Sequence, residues 1–281
     1  MIDLHTHTNC SDGTDSPAQL VNKALAEGIS VLAITDHDTT SGWQSAQEAL
    51  RSNLSLVLGA EISCLTPDGI SVHMLGLLFD GSDTEMQSML ENTRDGRIPR
   101  AIKMIDLLRS DGINISIEDV ESVKPAGATL GRPHIADALV KNGVVLSRDE
   151  AFTDLLNNNS KYYVAHLAPT PEVAIATIKK AGGVAVIAHP FASHRGKILS
   201  TKEFLPLKLA GLNAIEVNHR DHNNDERIAL ANIARELDLV ITGASDYHGT
   251  GKLNSLGENY TNQAEWELLE SQAIQRRVIK V

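Results

Sequence analysis

Apolar residues in this chain cluster into short runs at 31–35, 56–58, 72–79, 184–188, 214–217 and 239–242, which read as buried strands, with a further apolar run at 1–4. Most are separated by segments of helical period. The first is clearly punctuated: Ser16 can cap it, Pro17 suits its first turn, Leu20, Val21, Ala24 and Leu25 form one stripe, and Gly28 can end it. The same pattern predicts helices near 42–51, 171–182, 202–210, 224–237 and 262–275. Strand–helix alternation implies parallel strands with right-handed crossovers, hence an α/β barrel or an open doubly wound sheet. Between 86 and 165 the pattern changes to helices at 86–111, 117–123 and 132–142, then a polar turn at Asn157, Asn158, Asn159 and Ser160, with no buried strand. The expected organisation is a body of 1–85 and 166–281 with a small helical insertion, 86–165, covering one face.

Candidate chemistry sits at the strand ends. His5 and His7 are two apart on extended chain, so their imidazoles point the same way. Asp12, His37, Glu61, His73, His189, Asp246 and His248 each lie at or just beyond an apolar run, as ligands mounted on successive strand ends would. Ligands scattered from residue 5 to residue 248 favour the barrel, because closure brings distant strand ends together. Mixed imidazole and carboxylate donors suit zinc, manganese or iron(II). The set exceeds what one tetrahedral ion needs, which points to two or three ions with Glu61 as the bridge.

Composition narrows the partners. With 25 Lys+Arg against 36 Asp+Glu, the formal charge of −11 disfavours a broad grip on long duplex nucleic acid and leaves a small phosphorylated substrate or the end of a short strand. Of 281 residues, 42 % are hydrophobic and 22 % charged, which suits a globular body with a substantial core. The cysteines, Cys10 and Cys64, form neither a disulfide framework nor a Cys-X-X-Cys pattern; no leader pattern or membrane span is evident, so a cytoplasmic protein is expected. Covalent catalysis is disfavoured: there is no Gly-X-Ser-X-Gly elbow and no identifiable Cys/His arrangement. Gly249, Thr250, Gly251 and Lys252 lack Walker spacing and read as a turn.

Six ordered motifs carry a resemblance: Asp3, Leu4, His5, Thr6, His7; Ser11, Asp12, Gly13; Thr35, Asp36, His37; Gly59, Ala60, Glu61; Ala188, His189, Pro190; and Ser245, Asp246, Tyr247, His248. Over nearly its whole length the chain resembles the polymerase and histidinol phosphatase (PHP) superfamily. That resemblance implies a distorted (βα)7 barrel with a metal centre that hydrolyses phosphoesters. It would place one ion on His5, His7, Glu61 and Asp246, a second on Glu61, His73 and His189, and a third on Asp12, His37 and His248. Asp36, and less specifically Asp38, would orient a ligand imidazole or the backbone turn. The expected mechanism is in-line attack by a metal-bridging hydroxide, with Glu61 and Asp246 at the reacting centre and the leaving oxygen protonated by water or by a histidine such as His194.

Substrate choice must come from cations and donors around the metals. Arg132, just before a helix start with His134 in the same turn, offers a planar fork and nearby backbone N–H groups to phosphate. Lys161, Arg195 and His222 are further candidates, whereas His166 and His219 read as structural. The Gly131, Arg132, Pro133, His134, Ile135, Ala136 helix start resembles the PHP branch of 3′,5′-nucleotide bisphosphate phosphatases and 5′-end trimming exoribonucleases of short RNA. A histidinol-phosphate phosphatase and a non-catalytic regulatory PHP module are the competing readings.

Overall fold

A computed structural model describes residues 1–274 and 278–281. Seven strands lie in chain order in one sheet: β1 (Ile2–Asp3), β2 (Val31–Ile34), β3 (Ser55–Leu65), β4 (Ser71–Leu77), β5 (Val184–Ala188), β6 (Ala214–Asn218) and β7 (Val240–Gly243). The sheet curls until its two edges meet beyond the paired strands. There a parallel bridge joins Thr6 to Tyr247, and the His7 N–H donates to the Tyr247 carbonyl at 2.8 Å. The result is a nearly closed barrel.

Helices α1 (Pro17–Ala26), α2 (Trp43–Ala49), α7 (Pro171–Lys180), α8 (Phe204–Ala210), α9 (Asn224–Glu236) and α10 (Gln263–Ser271) fall where the apolar stripes predict them; position 275 of the last expected segment lies outside the described residues. At α1, Ser16 accepts from the Gln19 N–H while the Gln19 side chain accepts from Ser16, and Leu20, Val21 and Ala24 are buried. Alternate residues of one strand enter different layers, as the two-residue period requires. Leu32, Ile34, Leu56 and Leu58 pack with the surrounding helices. Val31, Ala33, Val57, Leu77, Val184 and Val186 fill the interior together with Trp266 and Leu269 of α10.

One expectation fails. β4 pairs antiparallel with both β3 and β5, so the sheet is mixed rather than wholly parallel. The cause is local: Thr66, Pro67, Asp68 and Gly69 form a tight turn, closed by Gly69 N–H to the Thr66 carbonyl at 2.9 Å, with Gly69 at φ +79°. A connection this short reverses the chain and has no room for a crossover helix. β3 consequently extends well past the expected 56–58, to Leu65, and carries Glu61 in its middle.

Residues 84–154 supply α3 (Thr84–Ser110), α4 (Ile117–Val123), α5 (Arg132–Lys141) and α6 (Arg148–Asp154), the last a short helix capped by Ser147 that apolar periodicity did not predict. These helices have a core of their own built from residues such as Met104, Leu108, Val120, Ile135, Leu139 and Leu156. α3 belongs to both bodies: Met86 and Leu90 pack in the barrel's outer layer, while Ala101 to Leu108 enter the second core. No helix among the described residues is long and apolar enough to cross a membrane.

Candidate metal centre

The edge bridge that closes the barrel places His5 and His7 beside Asp246 and His248. Glu61 arrives from β3, its N–H bonded to the Thr35 carbonyl at 3.1 Å, which sets His37 at its side. Antiparallel pairing then brings His73 to Ser63 and to Ala188, and so next to His189. The reversed β4 is therefore what delivers His73 to the cluster.

Glu61 is the hub. Its Oε2 lies 3.2 Å from His5 Nε2, 3.0 Å from His7 Nε2 and 3.1 Å from His37 Nδ1; its Oε1 lies 2.6 Å from His73 Nδ1 and 3.1 Å from His189 Nε2. Asp246 Oδ1 faces His5, His7 and His248 at 3.4–3.5 Å. Asp12 faces His248 Nε2 at 3.2 Å, His37 Nε2 at 3.6 Å and His7 Nδ1 at 3.7 Å. All nine donors expected from the strand ends thus meet in one place: seven fall in overlapping groups whose donor atoms lie within 4.8 Å of one another (His7, Asp12, His37 and His248; His5, His7 and Glu61; His37, Glu61 and His73), and His189 and Asp246 join them through Glu61, His5 and His7.

The donor set fits divalent ions. His37 Nδ1 and His248 Nε2 are buried and face carboxylate oxygens without hydrogen-bond geometry, so their lone pairs converge on shared space rather than on protein donors. His248 Nδ1 lies 2.8 Å from the Asp246 carbonyl, an acceptor that puts the ring proton there and leaves Nε2 free. Burial opposes a charge on Glu61, yet His37, His73 and His5 hold its carboxyl well below the usual carboxylate range. Asp12 is likewise held low against burial by His248 and His37, and Asp246 by Lys252 and His248. Three non-glycine residues here have left-handed backbone: Asp38 (φ +52°), His189 (φ +31°) and Asp246 (φ +52°). Such strain persists where surrounding contacts over-determine it. Asp36 fixes the loop after His7, accepting from the Thr8 N–H at 2.8 Å and from the Thr8 and Ser11 hydroxyls at 2.7 and 2.6 Å.

Above the cluster lies a cleft of about 850 Å³ walled by the barrel loops and the helical segment. Arg132, Arg195 and His194 line it; His134, Lys161 and His222 do not. His134 is buried and accepts from the Gly131 N–H, closing the first turn of α5. Lys161 pairs with Asp111, and both nitrogens of buried His222 meet backbone, the Phe191 N–H and the Val217 carbonyl. Each of the three is engaged away from the cleft, for the general reason that a polar side chain beside a motif finds the nearest unsatisfied backbone group or countercharge. His194 is 61 % exposed and faces Asp221 at 3.5 Å. Arg195 donates to Asp221 and, at 2.8 Å, to Asp246 Oδ2.

Several residues of the site carried no motif. Arg97 is buried and ties Asp38 Oδ2 at 2.9 Å, Ser63 Oγ at 2.7 Å and the Leu130 carbonyl at 3.2 Å. Lys252, in the expected turn, reaches Asp246 Oδ2 at 2.8 Å. Glu216, a lone acid in an apolar strand, is completely buried beneath His5 and His189. Arg100 and Arg132 share a wall with Tyr163 and His166, and neither arginine has a carboxylate within ion-pair reach among the described residues. Burial therefore pulls Arg132 down to about 10; burial and the neighbouring Arg132 pull Arg100 to about 9. His166, with both ring nitrogens buried and unpartnered, is pushed to about 3 by burial and by Arg97 and Arg100.

Comparison with known proteins agrees with this geometry. The model of the PHP domain matches residues 3–280. The chain is 34 % identical to a 5′-3′ exoribonuclease of Haemophilus influenzae over 92 % of its length and 93 % of that protein. It is 32 % identical to a 3′,5′-nucleoside bisphosphate phosphatase of Chromobacterium violaceum, over 89 % and 88 % of the two chains. A crystal structure from Bifidobacterium adolescentis, described as a candidate metal-dependent phosphoesterase, superposes with a TM-score of 0.91 at 41 % identity, covering 97 % of this chain and 96 % of that one.

Proposed function

The chain belongs to the PHP domain family, and on that premise we propose that it is a metal-dependent phosphoesterase that removes one phosphate from a small nucleotide carrying a second phosphate close by. A 3′,5′-nucleotide bisphosphate is the substrate the site suits, with the 5′ end of a short oligoribonucleotide as the related one. One observation carries this reading: a nine-donor cluster hubbed on Glu61 opens into the same cleft as two arginines without carboxylate partners. An acid-rich floor suits cations, and an uncompensated guanidinium wall suits an anion.

His5, His7, Glu61, Asp246, His73, His189, Asp12, His37 and His248 would hold two or three ions of manganese, zinc or iron. When bound, such ions supply Lewis acidity toward phosphoryl oxygens and make water acidic enough to attack near neutral pH. Glu61 gathers imidazoles from the ends of β1, β2 and β5 and from β4 around its two oxygens. Asp246 splits its oxygens, Oδ1 toward the imidazoles and Oδ2 toward Arg195 and Lys252, so these cations stand between the cluster and the cleft. Arg132 uses Nη1 on the Leu156 carbonyl and the Asn158 side chain, which leaves Nε and Nη2 for the non-scissile phosphate. Phe152 and Tyr163 flank its guanidinium plane at 5.6 and 5.7 Å. His194, exposed at the rim and oriented by Asp221, can deliver the proton to the departing oxygen. The two cysteines are unpaired, which suits a reducing cytoplasm.

The test is a turnover screen of metal-supplemented protein on adenosine 3′,5′-bisphosphate, a 5′-phosphorylated dinucleotide, histidinol phosphate and p-nitrophenyl phosphate. The bisphosphate should show the highest kcat/KM. Preference for histidinol phosphate would replace the nucleotide reading, and absence of turnover with any divalent metal would favour a regulatory module.

A further inference from the structure

Glu216 is a carboxylate in the middle of a buried strand, between Ile215 and Val217, with no exposure of its own. Its Oε1 lies 3.1 Å from His5 Nδ1, and its Oε2 accepts from the His189 N–H at 2.7 Å. It thus touches one residue from the end of β1 and one from the end of β5, neither of them on its own strand. An ionised carboxylate can only accept. A neutral His5 must therefore carry its proton on Nδ1, and its Nε2 lone pair points at His7 Nε2, 3.0 Å away, and at Glu61 Oε2. The second oxygen restrains the backbone of His189 where φ is +31°, a conformation a non-glycine residue holds only under constraint.

We propose that Glu216 is a positioning residue for the metal centre: from β6 it fixes the tautomer of His5 and the backbone of His189, so that both present Nε2 to the ions. The proposal rests on the reading of the cluster as a divalent-metal site. It makes a sharp prediction for Glu216→Gln, whose shape is unchanged. The amide oxygen can keep the His189 N–H, which turns the amide NH₂ toward His5 Nδ1 and forces that nitrogen to accept. The proton of His5 then moves to Nε2, facing the site.

Zinc is the probe. In zinc-loaded wild type, ring ¹⁵N spectra should show His5 protonated on Nδ1 and ligated through Nε2. Glu216→Gln should bind zinc about 10- to 100-fold more weakly by calorimetry. Its metal-free melting temperature should stay within about 2–4 °C of wild type. Equal zinc affinity in the two proteins, or a wild-type His5 protonated on Nε2, would overturn the role of Glu216 while leaving the metal site standing. Wild-type protein that binds no zinc at all would overturn both. The wild-type spectrum decides the tautomer even where the variant does not fold.

Discussion

Replacing Arg132 with Met separates a recognition residue from a structural one, because the two roles move stability and substrate choice in opposite directions. Burial pulls this guanidinium down from its ordinary value to about 10. At about 1.4 kcal/mol per unit, that corresponds to at most roughly 3 kcal/mol of destabilisation by this partly buried charge, and less where water enters the cleft. The sign follows from linkage: a base whose folded pKa is depressed burdens the fold at all pH below about 10, and the burden fades as pH rises through 10 toward the ordinary arginine value. Against it stand two hydrogen bonds, to the Leu156 carbonyl at 2.8 Å and Asn158 Oδ1 at 2.6 Å, each contributing about 1 kcal/mol. Arg132→Met, which keeps an apolar stem between Phe152 and Tyr163, should therefore leave stability within about 1 kcal/mol of wild type or raise it. Recognition should suffer instead. Charge-assisted hydrogen bonds of about 1.5–3 kcal/mol to a second phosphate correspond to a roughly 10- to 150-fold fall in kcat/KM for adenosine 3′,5′-bisphosphate. Adenosine 3′-monophosphate, which lacks that phosphate, should lose little. Urea unfolding and steady-state kinetics on both substrates read the two effects. An equal loss on both substrates, or a stability loss above about 2 kcal/mol with discrimination intact, refutes the assignment.

Three further outcomes are expected. Breaking the buried Arg97–Asp38 pair with Arg97→Met should cost about 3–5 kcal/mol in urea unfolding, and adding Asp38→Asn should recover part of it; additive single effects would show that the two do not act as a unit. His166 is neutral in the fold at about 3 but ordinary at 6.5 when unfolded, so its share of stability is full above pH 6.5 and is lost as pH falls toward 3. Between pH 7 and 4 wild type should lose up to about 3 kcal/mol more than His166→Asn, and parallel losses in the two proteins would count against a buried neutral imidazole. Chelation should abolish turnover and lower the melting temperature, since an ion present at 1,000 times its Kd contributes about 4 kcal/mol; a melting curve indifferent to chelator would mean that the cluster folds without cations.

The donors of the metal centre were legible because strand ends are easy to find: an apolar run followed by a histidine or acid marks a side chain at the rim of a sheet, and barrel closure does the rest. His37, His189 and Asp246 follow that rule, just beyond β2, β5 and β7, whereas Glu61 lies in mid-strand and Asp12 in the loop after β1. The direction of β4 was not legible from apolar runs, although Thr66, Pro67, Asp68 and Gly69 spell a turn that excludes a crossover. Glu216 was visible as a charge within an apolar strand, but alternation cannot say which way it points or what lies beneath it. The substrate candidates Lys161, His134 and His222 lie outside the cleft lining because proximity to a motif in sequence says nothing about competition from backbone groups, and in the fold Asp111, the Gly131 N–H and the Val217 carbonyl engage them.

Net charge, a sum over the whole chain, leaves one local feature out of sight, and that feature lies in α3. The chain carries −11 overall, yet Arg94, Arg97 and Arg100 recur every three residues along this helix, which places them on one face. Each is used differently. Arg94 donates to the Asp38 carbonyl at 2.8 Å, Arg97 clasps the Asp38 carboxylate, and Arg100 reaches the Val164 carbonyl at 2.8 Å beside Arg132. One face of one helix thus runs from the loop that carries His37 to the cationic wall of the cleft. Because Arg97 also holds the Leu130 carbonyl, two residues ahead of Arg132, one buried guanidinium ties the loop that carries His37 to the start of α5. Under the proposed function, the net acidity of −11 and a local arginine face together suit substrates short enough to lie between the two. A shift of α3 along its axis would change which phosphate spacing fits, and substitutions at Arg97 should therefore alter the preference between bisphosphate and monophosphate substrates more than they alter turnover of p-nitrophenyl phosphate.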